Sequence, residues 1–171
     1  MGSRQQAAPG PGLTRAVGAS AEVFDVSDLG YKARVLDLTR VDHWGVRVTD
    51  AERAIGFYEQ LGFSVAVRHD AASVVILRHP SGLEVNLITN GVPHDRGNVL
   101  MDLPSKYSGY THVALRIANL DSALRYVTQL GIPITEGPVQ LGDGTSFFIR
   151  DPDGNVIELR SVVELGDRGT V

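Results

Sequence analysis

His43-Trp44-Gly45-Val46-Arg47-Val48-Thr49-Asp50 and His112-Val113-Ala114-Leu115-Arg116-Ile117-Ala118-Asn119 are two settings of one pattern, separated by 112 − 43 = 69 residues. The same shift lays Gln60-Leu61-Gly62-Phe63 on Gln129-Leu130-Gly131-Ile132 without a gap. Between the two matched pieces lies a helical stripe in each copy. Ala51, Ala54, Ile55, Tyr58 and Leu61 recur in the second copy as Leu120, Ala123, Leu124, Val127 and Leu130. That spacing places one apolar face on a 3.6-period helix. Asp50 and Asn119 stand where a side-chain oxygen can cap free backbone N–H groups. Gly62 and Gly131 stand just past the helix end, where a left-handed backbone favours a residue without Cβ.

The flanks read as strands. Residues 41–48 and 111–117 precede the helices. Residues 63–67, 73–77 and 83–88 follow the first helix, and 132–135, 146–149 and 156–159 follow the second. Each copy therefore reads β-α-β-β-β. The expected fold class is α+β: tandem βαβββ modules forming a curved mixed sheet around a shared cavity. The expected organisation is an N-terminal extension at 1–38, a first module at 39–89, a connecting loop at 90–109, a second module at 110–161 and a tail at 162–171. Residues 1–18 are rich in Gly, Pro, Ala and Gln and read as a flexible lead. The 90–109 loop carries Gly, Pro, Asn and Asp and suits either a linker or a lid. Trp44 and Phe148 read as core.

Composition narrows the function classes. The chain has 171 residues, no cysteine and a formal net charge of −4. Disulfides, thiolate nucleophiles and Cys-based metal sites are excluded. A mildly acidic surface without a basic stripe argues against nucleic acid and anionic membranes as partners. No apolar run is long enough to span a bilayer, and no signal-peptide pattern opens the chain. The expected setting is the cytoplasm, and the expected partner is a small-molecule substrate.

Alternate residues of a strand share a face. His43, Gly45 and Arg47 lie on one face of the first strand, and His112, Ala114 and Arg116 on the matching face of its repeat. If the copies are related by a pseudo-two-fold, both imidazoles point into one cavity. The last strand follows the Asp153-Gly154 turn and carries Glu158 between Ile157 and Leu159. Two neutral imidazoles and a carboxylate suit one divalent ion and leave positions open for substrate. The first copy differs. Four residues past Gly82 stands Asn86, while Glu84 lies two residues earlier on the same face. Asn86 fills the fourth slot unless the hairpin is shortened by two residues, in which case Glu84 does.

The repeat, the two strand-borne histidines and the string Asp151-Pro-Asp-Gly-Asn-Val-Ile-Glu-Leu159 resemble the vicinal oxygen chelate superfamily over roughly 41–160. That group includes glyoxalase I, fosfomycin resistance proteins, methylmalonyl-CoA epimerase, extradiol dioxygenases and bleomycin-binding proteins. The resemblance implies His43, His112 and Glu158 as ligands of one divalent metal ion, whether Fe, Ni, Zn, Co or Mn. Similarity to glyoxalase I implies Arg47 and Asn90 as substrate contacts, with Asn86 beside them. The superfamily resemblance also implies pairing into a homodimer. Three departures stand out. Glyoxalase I has a carboxylate where this chain has Asn86, and a basic residue in the loop matching 137–140. Extradiol dioxygenases have a tyrosine where this chain has Phe148.

Three functions follow from that resemblance. The first is a lyase or isomerase of glyoxalase type, acting on a small oxygen-chelating metabolite, with Glu158 or Glu84 moving the proton. The second is an Fe(II) dioxygenase on the same triad. The third is a cavity that sequesters a drug without catalysis.

Overall fold

The computed structural model describes residues 38–162. The N-terminal lead and nearly all of the extension expected at 1–38 lie outside the described residues, as does the tail beyond 162. In chain order the elements are β1 (Trp44–Arg47), α1 (Ala51–Gln60), β2 (Ser64–His69), β3 (Val74–Arg78), β4 (Glu84–Ile88), β5 (His112–Arg116), α2 (Leu120–Gln129), β6 (Ile134–Leu141), β7 (Gly144–Arg150) and β8 (Val156–Val162). A single 3-10 turn, Asp70–Ala72, joins β2 to β3. The double βαβββ reading of the sequence holds. The helix ends form as their residues dictate. Asp50 accepts from the Arg53 N–H and Asn119 from the Ser122 N–H, while Gly62 and Gly131 take positive φ of 91° and 70°.

Each module forms its own four-stranded mixed sheet, ordered β1-β4-β3-β2 and β5-β8-β7-β6. In both, the first strand runs parallel to the last and the remaining pairs are antiparallel. The strand that begins at His112, and the one that His43 immediately precedes, each lie directly beside the strand that closes the module. The β6–β7 hairpin is longer than the sequence suggests. Gly137 (φ 87°) and Pro138 interrupt the alternation in β6 with two register shifts. An edge strand tolerates both, because one of its sides needs no ladder donors.

One apolar core spans the two modules. Tyr58, Leu77, Leu87, Phe147 and Ile149 are among its fully buried members. The modules also interlock through polar groups. Asp153 Oδ1, in the turn before β8, accepts from the backbone N–H and hydroxyl of Thr49 and from Arg53 Nη2. Asn155 donates to the Arg47 carbonyl, and Tyr126 donates to the Gln60 carbonyl at 2.9 Å. The connecting loop is anchored on this same turn. Arg150 pairs with Asp102, holding that carboxyl below its usual range, and Asn98 donates to the Gly154 carbonyl.

Candidate metal centre

The second module supplies a compact pair. His112 Nε2 stands 3.0 Å from Glu158 Oε2. Ala114, not His112, is the register partner of Glu158, so the carboxylate reaches back along the parallel strands toward the imidazole. The other ring nitrogen, Nδ1, contacts the Thr111 hydroxyl at 2.9 Å. Glu158 is 6% exposed. A carboxylate that deep needs its oxygens satisfied. Ser146 meets Oε1 at 2.5 Å, and Arg160 Nη1 lies 3.7 Å from the same oxygen. Phe148 stacks edge-on against His112, with centroids 5.8 Å apart. Phe148 is buried, as read, but it stands on the histidine side and outside the main apolar cluster. Phe147 takes the core side of β7, and alternation turns Phe148 to the histidine side. Trp44 packs against the core as read.

The first module supplies a second cluster. One ligand atom from each of Asp42, His43 and Glu84 lies within 4.8 Å of the other two. Asp42 Oδ1 accepts the His43 Nδ1–H at 2.8 Å, and that bond holds the Asp42 carboxyl below its usual range. It also leaves Nε2 as the ring nitrogen with a free lone pair. Glu84 Oε2 is gripped by Arg78 Nε at 2.8 Å.

Register distinguishes the positions of Asn86 and Glu84. Arg78 pairs with Glu84 and Arg150 with Val156. Both hairpins span six positions (84 − 78 = 156 − 150 = 6), so neither is shortened. Asn86, beside Gly45, occupies the slot that Glu158 occupies beside Ala114. Glu84 occupies the slot of Val156. The carboxylate has thus moved two residues along the strand, and it still lies within reach of His43. Asn86 Oδ1 is buried and has no hydrogen-bond partner.

Among the described residues, His43, His112 and Glu158 do not form one close group of ligand atoms. Among the described residues the only group of three or more histidine and acidic side chains with mutually close ligand atoms is Asp42, His43 and Glu84. Each histidine instead meets a carboxylate on the neighbouring strand of its own sheet. Arg47 and Asn90 are exposed. Three participants escaped the sequence reading. Asp42 adjoins His43, and Arg160 lies two residues past Glu158 on the same strand face. Ser146 pairs with Arg160 in register. Strand alternation was the signal that pointed to the last two.

The donor chemistry fits a divalent ion. Two ligand atoms about 2.1 Å from one ion and at right angles are about 3.0 Å apart, the spacing of His112 Nε2 and Glu158 Oε2. The unpartnered Asn86 oxygen is a further acceptor. A sequence profile described as the Glyoxalase/Bleomycin resistance protein/Dioxygenase superfamily matches residues 40–159. The chain belongs to this superfamily. It is 31% identical over 153 residues to Virulence protein STM3117 of Salmonella typhimurium, covering 82% of this chain and 98% of that protein. The crystal structure of that virulence protein matches with a TM-score of 0.53 at 30% identity, over 75% of this chain and all of the other. A probable lactoylglutathione lyase of Synechocystis is 28% identical, over 68% of this chain and 91% of the lyase. Among the described residues no helix of this superfamily member is long and apolar enough to cross a membrane.

Proposed function

We propose that this glyoxalase-superfamily chain is a divalent-metal-dependent lyase or isomerase acting on a small metabolite with neighbouring oxygens, and that it works as a homodimer. The observation that carries this reading is the 3.0 Å His112–Glu158 pair, set on one sheet face and mirrored by His43 and Glu84 on the other. Likeness to a probable lactoylglutathione lyase supports the reaction class. His43, His112 and Glu158 would hold the ion, with Asn86 or Glu84 beside it. When bound, the ion supplies Lewis acidity toward the substrate oxygens. In the dimer proposed, a second copy would bring the His43 face of one chain to the His112 face of the other.

The two glutamates divide the work. Glu158 has Oε1 on Ser146 and Oε2 on His112, so it serves as an anchoring ligand. Glu84 has Oε2 on Arg78, which leaves Oε1 to take a proton from carbon and return it. Arg47, exposed on the His43 face, and Asn90 are the substrate contacts. The test is turnover of α-oxoaldehydes, with and without a thiol, by protein loaded with Ni, Zn, Co or Mn. Isomerisation that disappears in His112→Ala and Glu84→Gln supports the proposal. Oxygen consumption with Fe(II) and no isomerisation contradicts it.

A further inference from the structure

Ser146 and Arg160 have no role in the reading so far, yet they form a continuous polar chain ending on Glu158. Ser146 is fully buried on β7. Arg160 sits opposite it on β8. Arg160 Nη2 donates to Asp143 Oδ1 at 2.6 Å and to the Leu141 carbonyl at 2.7 Å, both at the tip of the β6–β7 hairpin. Its Nη1 donates to Ser146 Oγ at 3.3 Å. A hydroxyl has one proton. With its oxygen accepting from Arg160, that proton is committed to Glu158 Oε1 at 2.5 Å. The donors therefore start at Arg160: Nη2 is tied to the hairpin tip, and Nη1 leads through Ser146 to a single oxygen of Glu158.

We propose that Ser146 and Arg160 are positioning residues for the metal-ligating carboxylate. They pin Oε1 and fix the carboxylate plane, so that Oε2 is presented beside His112 Nε2 as a single-oxygen donor. Outer partners of this kind govern how well a ligand is presented to an ion. The first module has no equivalent. Its Glu84 is held by one arginine whose side chain is 61% exposed. The His112 half is therefore the preorganised half, and the ion's affinity is set mainly there. The inference rests on the metal-dependent reading above and deepens it.

Titration with Co²⁺, followed by visible absorption, tests it without reference to turnover. Wild type, Ser146→Ala, Arg160→Gln and Arg160→Lys are compared, each checked for native far-UV circular dichroism. The expected result is Co²⁺ binding weakened about 10- to 100-fold in Ser146→Ala and Arg160→Gln. A changed ligand-field band should accompany it, with partial recovery in Arg160→Lys. Folded variants with wild-type affinity and band overturn the inference and leave the functional reading standing. Failure of the wild type to bind Co²⁺ overturns both. If Ser146→Ala does not fold, the Arg160 pair decides the matter, because that side chain is partly exposed.

Discussion

Asp153 Oδ1 lies 2.5 Å from the Thr49 hydroxyl, joining the turn before the last strand of one module to the entry of the first helix of the other. The same oxygen takes the Thr49 N–H and a proton of Arg53. Asp153→Ala leaves these donors without their acceptor and is expected to cost about 1–3 kcal/mol in urea unfolding. Thr49→Val keeps the backbone donor and should cost less. Equal losses in the two variants would show that the hydroxyl alone carries the joint.

The neighbouring Asp151 gives a pH signature. Burial is the main influence and raises its carboxyl above the ordinary value, against the hydrogen bonds from Asn155 and Asp153. The folded chain therefore holds this proton more tightly than the unfolded chain. The resulting stability is fully present below the unfolded value, about pH 4, and is lost as pH rises through the raised folded value. Asp151→Asn lacks the titration. The wild-type urea midpoint, measured relative to that variant, should fall as pH rises from about 4 and then level off. A difference that grows with pH would contradict the assignment. The exposed carboxylates held low by arginine or histidine are common to both chains and cancel in this comparison.

If two copies complete each site, mutant chains can rescue one another. A dimer of one His43→Ala chain and one His112→Ala chain has one site missing both ligands and one site intact. Unfolding the two variants together and refolding them should restore about one quarter of wild-type turnover, because about half the dimers are mixed. Either variant alone should be inactive. No rescue on mixing would place both halves of the site on one chain or remove the dimer from the account.

Asp42 fixes the tautomer of His43 by accepting its Nδ1–H. Asp42→Ala is expected to weaken metal binding by about 10-fold, a smaller loss than His43→Ala produces. Imidazole ¹⁵N shifts should show Nδ1 protonated in the wild type and a tautomer mixture in the variant. An unchanged tautomer would leave Asp42 without this role.

The legible parts of the fold are those written locally. Cap, apolar stripe and terminal glycine lie within about a dozen residues of one another, and each has its own physical cause, so the repeat could be read strand by strand. The His112–Glu158 pair was also legible, because strand alternation puts both side chains on one face. Whether the two halves of the site meet was not. That depends on how separate sheets pack, which no local spacing encodes. The slot held by Asn86 follows from hairpin length. The nearness of Glu84 to His43 follows from the parallel register of β1 and β4, which joins residues far apart in sequence. The β6–β7 hairpin was underread because Gly137 and Pro138 imitate a strand end.

In the function proposed, His112 and Glu158 hold one divalent ion. Equilibrium dialysis of purified wild type and Glu158→Gln against Ni²⁺ or Zn²⁺, with metal counted by mass spectrometry, tests it most directly. One ion per chain in the wild type, with affinity at least about 100-fold lower in Glu158→Gln, is the predicted result. Absence of stoichiometric metal in the wild type, or full retention in the variant, would contradict it.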